Sequence, residues 1–180
     1  EGLSLRAGQA EFTMTDLEEG VRIAHQQNVK VYAALNILAR NNDLEVARQR
    51  VGELDEIGVD GVILSDPGVL GIVRRTAPRL SVHLSTQANT TNSEAVRFWQ
   101  AQGVRRLVLA RELNLEEIAQ IAAAVPEVEL ELFVHGAMCL AYSGRCLLSA
   151  YLTGRSANRG ECTHPCRWEY VLTERSRPEE

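Results

Sequence analysis

No cysteine occurs before Cys139 in this 180-residue chain, so no disulfide can staple its first three quarters. A small secreted domain held together by bridges would be shorter and richer in cysteine. Long apolar runs are missing too. None approaches the ~20 residues that a helix needs to cross a bilayer. Nothing at the amino terminus reads as a signal peptide, and a cytoplasmic location is the expectation. Positive charge is in deficit: the formal net charge is -5, which argues against a protein that coats nucleic acid through its overall charge but leaves room for a local basic site. No G-x-G-x-x-G follows the first strand, so the mark of a dinucleotide fold is missing. Neither HExxH nor GxSxG occurs, so the common zinc and serine hydrolase signatures are missing as well.

What is present is a hydrophobic fraction of 45%, enough for one well-buried core. Short β-branched runs alternate with amphipathic stretches. Strands are expected at Lys30–Asn36, Gly61–Ser65, Leu80–Ser85, Arg105–Ala110 and Val128–His135. Helices are expected at Thr15–Gln27, Asp43–Ile57, Asp66–Ala77, Asn92–Gln102 and Asn114–Ala124. Leu44, Ala47, Val51, Leu54 and Ile57 recur at helical spacing. Asp43 is placed to cap that helix and Gly58 to end it. Gly2–Arg6 reads as the end of an earlier strand. Strand–helix alternation without hairpin signals implies a parallel sheet with right-handed crossovers.

An open doubly wound sheet and a (β/α) barrel both satisfy this pattern. The polar residues at the strand ends favour the barrel: Asn36, Ser65 with Asp66, Ser85 with Gln87, Arg111 with Glu112, and His135. In a barrel the carboxyl ends of the strands converge on one active-site face. A closed barrel needs about 250 residues, so the expectation is an incomplete TIM-type barrel, truncated at both ends. Residues 1–135 then form the β/α units, and 136–180 a Cys-rich loop segment of the same domain, after the strand ending at His135. The charged stretch Glu174–Glu180 reads as a frayed end.

All four cysteines fall in that segment, spaced Cys139-x6-Cys146-x15-Cys162-x3-Cys166. Four thiolates can close the shell of a zinc ion or of a 4Fe-4S cluster. Neither close pair has the C-x2-C spacing of a zinc knuckle, which favours the cluster slightly. A nucleophilic cysteine served by His135 as base is a third reading. Around the cysteines stand Arg145, Arg155, Arg159, Arg167, Arg175 and Arg177, with Trp168 and Tyr142. Guanidinium groups grip phosphate or carboxylate, and aromatic rings stack on exposed bases. A merely solvated loop would carry the same residues.

VHGAMCLAYSGRCLLS, from Val134 to Ser149, resembles the signature of the collagenase-like U-32 peptidase family. NRGECTHPCRWEY (Asn158–Tyr170), ILSDPG (Ile63–Gly68), HLSTQANTTN (His83–Asn92) and LARELNLEEI (Leu109–Ile118) resemble further family blocks. They are most similar to the prephenate-dependent tRNA uridine hydroxylase branch. The resemblance implies oxygen-independent hydroxylation of a wobble uridine, a 4Fe-4S cluster on the four cysteines, tRNA as partner and prephenate as co-substrate. The family name implies the alternative, a peptidase. A structural zinc module is a weaker alternative. Strand-end position makes Arg111, Glu112 and His135 the candidate catalytic residues. Asn36, Gln87, Arg145, Arg155, Arg159, Arg167 and Trp168 are the candidate substrate-binding residues. Prephenate, a dicarboxylate, would take arginine partners such as Arg111 or Arg145.

Overall fold

The computed structural model describes residues 3, 4, 12–171, 173 and 175–177. The chain runs α1 (Met14–Gln26), β1 (Tyr32–Leu35), α2 (Leu44–Ile57), β2 (Gly61–Leu64), α3 (Pro67–Thr76), β3 (Ser81–Leu84), α4 (Ser93–Ala101), β4 (Arg106–Val108), α5 (Leu115–Ala124), β5 (Glu129–Glu131) and α6 (Leu148–Thr153). Among the described residues the five strands of the sheet are parallel, and their spatial order is their order in the chain.

Helix starts are fixed by side chains that accept from the otherwise unpaired first-turn N–H groups. Asp66 accepts from Gly68 at 2.7 Å and Val69 at 3.1 Å. Asn114 and Glu117 form a reciprocal capping box, each side chain taking the other's backbone N–H at 2.9 Å. Gly58 ends α2 with φ of 84°, a conformation that suits glycine.

The register aligns one leucine from each strand. Leu35, Leu64, Leu84, Leu107 and Leu130 stand level across the sheet. The middle three are fully buried together with Val62 and Val82, beneath a layer in which α2 touches α3 and α4 touches α5. Side chains alternate along a strand, so the opposite face carries the intervening row Ala34, Ile63, His83, Arg106 and Glu129. That row becomes polar toward β5. Arg106 pairs with Glu129 at 2.6 Å and lies 5.6 Å over the Tyr32 ring, and Tyr32 stacks on His83 at 4.5 Å. Burial pushes the His83 imidazole below its ordinary pKa.

Three sequence expectations need correction. Strand β5 ends at Glu131 and does not reach His135. Its partner β4 turns away: Leu109 makes the last rung, to the Glu131 carbonyl, and Ala110 bonds instead to Thr90. Asp43 does not cap α2 with its side chain; its carboxylate turns to Arg159. The Cys-rich segment is not all loop, since it contains α6, closed by Gly154 in the left-handed conformation. The expected strand end at Gly2–Arg6 falls largely outside the described residues, and Leu3 and Ser4 are not in a strand. Of the expected frayed end, residues 174 and 178–180 also lie outside.

The Cys-rich segment is tied back to the turn after β1 by one ion pair. Arg159 donates to both carboxylate oxygens of Asp43, at 2.6 and 2.8 Å. Asp43 also accepts from the Arg40 N–H at 2.7 Å. The Arg159 guanidinium holds the Asp43 carboxyl at a pKa of about 2, below its ordinary 3.8. A depressed carboxyl stabilises the fold above its unfolded pKa, and that contribution fades as pH falls through the folded one. The pair should therefore contribute on the order of 2 kcal/mol above pH about 4 and lose it between pH about 4 and about 2. Urea unfolding of wild type and Asp43→Asn should differ by that amount at pH 6 and converge near pH 2. A constant difference down to pH 2 would show that Asp43 does not act through its charge.

Candidate functional site

One residue beyond the aligned leucines the strands carry Asn36, Ser65 and Ser85, and the leucine register brings them level. The Asn36 amide donates to Ser85 Oγ at 3.5 Å, the Ser65 hydroxyl donates to the Asn36 carbonyl at 3.5 Å, and the Ser85 hydroxyl donates to the Gln87 side chain. The expected polar ends of β1, β2 and β3 thus form one hydrogen-bonded rim at the carboxyl edge of the sheet.

The Cys-rich segment lies against this rim in two pieces. The first, residues 136–144, hangs from the turns after β3 and β4. Asn89 holds the Ser143 carbonyl at 3.3 Å. Arg111 donates to the Ala137 carbonyl at 2.9 Å, to the buried Ser143 hydroxyl, and to Cys139 Sγ at 3.6 Å. Its guanidinium also sits 5.2 Å over the Phe133 ring. Gly144 is required here twice over. Its φ is +71°, and a Cβ at this position would fall 2.7 Å from Cγ of Gln87. Gln87 is therefore covered by the first piece.

The second piece holds the other three cysteines around α6. Asn158, buried at the turn formed by residues 157–159, accepts from the Cys146 N–H at 2.9 Å, while its carbonyl accepts from the Leu38 N–H at 3.0 Å beyond β1. The fully buried Ser149 contacts the Thr163 hydroxyl at 3.0 Å and accepts the Thr163 N–H at 3.2 Å, fixing the residue next to Cys162. The His164 N–H donates to Cys162 Sγ at 3.4 Å. Cys166 lies in the short turn Pro165–Arg167, which packs on α6. All four cysteines are free thiols; Cys139 and Cys162 are exposed, Cys146 and Cys166 half-buried.

Of the candidate catalytic residues, Arg111 and His135 line one cavity of about 200 Å³, with Phe133 and Met138 among its walls. Glu112 is exposed in the turn after β4 and does not line it. Among the basic candidates, Arg145, Arg155 and Arg167 are exposed, as are Trp168 and Tyr142. Tyr142 and Arg145 share one turn, closed by the Arg145 N–H on the Tyr142 carbonyl, and Arg167 and Trp168 share another, closed on the His164 and Pro165 carbonyls. Arg159 departs from expectation. Its fork is engaged by Asp43, so it anchors the segment instead of facing solvent with free donors.

Sequence reasoning missed Ser143, Ser149, Asn158 and Asn89, which hold the cysteine-bearing turns. Small polar residues carry no periodicity; the one signal for Ser143, Ser149 and Asn158 is closeness to the cysteines, and for Asn89 its place in the block His83–Asn92. The helix α6 did leave a signal, the run Leu147–Thr153 followed by Gly154.

Residues 1–180 match the sequence profile of peptidase family U32. The chain is 46% identical over 171 residues to "tRNA hydroxylation protein P" of Escherichia coli, covering 95% of this chain and 38% of that protein. It is 39% identical over 160 residues to a 23S rRNA 5-hydroxycytidine synthase of Escherichia coli, covering 89% of this chain and 24% of that enzyme. The solved structure of the U32 peptidase Mk0906 shares the fold, with a TM-score of 0.57 at 22% identity over 69% of this chain and 53% of that one. The chain spans well under half the length of the curated relatives it matches, and it belongs to peptidase family U32.

Proposed function

We propose that the protein carrying this chain is an RNA-modifying enzyme that hydroxylates a wobble uridine of tRNA, with prephenate as co-substrate and a 4Fe-4S cluster on Cys139, Cys146, Cys162 and Cys166. The observation that carries the reading is the position of the cysteine segment. It is bonded to the turns beyond the carboxyl ends of β1, β3 and β4, the edge where parallel α/β folds place their active sites. The names of the relatives, a tRNA hydroxylation protein and an rRNA 5-hydroxycytidine synthase, supply the substrate class.

The fold is proposed to be part of a (β/α) barrel, with residues 1–135 as its units and 136–180 as a segment of the same domain. Sequential strand order supports this. A doubly wound sheet reverses its order at a switch point and carries helices on both faces. Unbroken order sends every right-handed crossover to the same side.

The donor set fits a cluster in its chemistry. The thiols are free, and the sulfurs of Cys139 and Cys162 receive N–H donors that suit anionic sulfur. A single zinc ion needs its ligand sulfurs about 2.3 Å from one centre. What favours the cluster over zinc is the spacing of the cysteines, in which neither close pair forms a C-x2-C knuckle. When bound, the cluster would supply one-electron redox chemistry.

The chain's own residues would bind and orient. Arg155 and Arg167 present exposed guanidinium groups to phosphate, and Trp168 or Tyr142 offers a ring to an unstacked base. A small dicarboxylate is proposed to lie near the cavity lined by Arg111 and His135, with Arg145 as a further partner. A cysteine peptidase is the less favoured reading: its thiol would need a base beside it, and among the described residues His135, exposed beyond β5, makes no hydrogen bond to a cysteine.

Each single Cys→Ser variant should lose iron and visible absorbance after anaerobic reconstitution, because a hydroxyl is a poor substitute for thiolate. Full iron in all four would remove the cluster. Replacing Arg155 and Arg167 with Ala should flatten the dependence of log affinity for tRNA on log salt by about 1 for each phosphate no longer neutralised, with iron content unchanged. tRNA from cells lacking the full-length protein should lack a hydroxyl on uridine by mass spectrometry. Unaltered tRNA together with metal-independent gelatin cleavage would instead establish the peptidase.

A further inference from the structure

The four cysteines are not held alike. Cys146, Cys162 and Cys166 belong to a compact piece built on α6, fixed through Ser149 and Asn158 and latched by Arg159 to Asp43. Cys139 lies on the other piece, whose side-chain anchors are Asn89 and Arg111. Arg111 is the residue that both ties this piece to the sheet and touches the sulfur. One terminal nitrogen holds the Ala137 carbonyl, and the other reaches Ser143 Oγ and Cys139 Sγ. These contacts span both sides of Cys139 in sequence. The Phe133 ring centroid lies 5.2 Å from the guanidinium carbon, a cation–π contact.

We infer that Arg111 is the positioning residue of the Cys139 turn and the hydrogen-bond donor that sets the reduction potential of the group bound there. The inference rests on the cluster reading above for its second half only. A planar fork can serve several acceptors at once, which a point charge on a flexible stem cannot. Once the sulfur is a cluster ligand, an N–H donor and a positive charge beside it stabilise the more negative, reduced state and raise the potential. Arg111 thus serves the cysteine turn with its terminal donors besides lining the cavity.

Two measurements on the full-length protein separate the halves. The first is hydrogen–deuterium exchange without cofactor, comparing wild type with Arg111→Met, Arg111→Lys and Ser143→Ala. Exchange across residues 136–144 should rise at least severalfold in Arg111→Met and Arg111→Lys, and less in Ser143→Ala, while residues 146–166 stay as in wild type. The second is a redox titration of anaerobically reconstituted protein followed by electron paramagnetic resonance. Arg111→Met should lower the potential by at least a tenfold shift in the ratio of reduced to oxidised cluster, about 59 mV for one electron. Arg111→Lys should fall between Met and wild type, and Ser143→Ala should match wild type. Unchanged exchange in Arg111→Met would overturn the positioning role. Raised exchange with an unchanged potential would overturn the tuning role. Wild type that takes up neither iron nor sulfide would defeat the cluster reading and the tuning role with it, and the exchange data would still decide positioning.

Discussion

The arrangement depends on one packing constraint, the alignment of Leu35, Leu64, Leu84, Leu107 and Leu130 across five parallel strands. A slip of one residue in any strand would turn its leucine away from the helix layer and place its neighbour there instead. For β4 that neighbour is Arg106, for β5 Glu129. Burying either charge unpaired would cost several kcal/mol. The register that avoids this also makes the strand ends level, so Asn36, Ser65 and Ser85 can bond to one another across the rim. A site made of turns needs such a rigid edge beneath it, because turns have few hydrogen bonds of their own.

On that edge the chain divides its labour between elements that are strongly specified and elements that are not. The sheet and its helices are held by periodic apolar burial. The cysteine turns are held by isolated polar anchors: Arg111, Asn89, Asn158, Ser149 and Arg159. Arg159 is bonded to the Asp43 carboxylate and each of the others to backbone, and Ser143, Ser149 and Asn158 are buried. The arrangement leaves the apolar side chains Leu140, Leu147 and Tyr151 exposed on the same segment. The buried side of α6 is accordingly polar, with Ser149 and Thr153 facing Thr163, and its exposed side apolar.

This division explains how much could be read in advance. Strand and helix positions followed from period; Asp66, Asn92 and Asn114, the first residues of three expected helices, cap them in the structure, and Gly58 ends α2. The end of β5 could not be read, because it depends on where β4 turns away, a fact about a neighbour. The role of Arg159 was equally hidden. As a sequence feature it was one arginine among several in a basic stretch; only the fold brings Asp43 to it. The four cysteines were legible as a group from their isolation in the chain. Their division into two separately anchored pieces was not, since it is set by the turns that each piece touches. Arg111 was legible as a strand-end cation, but its partners on the cysteine turn were not.

The latch between Asp43 and Arg159 joins residues 116 positions apart. Contacts of such separation form late, because closing a long loop costs entropy that only an already ordered framework offsets. Both Asp43 and the Leu38 N–H that meets Asn158 lie just beyond β1, so neither is in place until β1 has joined the sheet. The cysteine segment therefore docks on a finished scaffold, after the core has closed. A thiol-rich segment that settles last keeps its sulfurs accessible until the sheet beneath it is complete. The fold thus separates in time the step that buries leucines from the step that gathers sulfur.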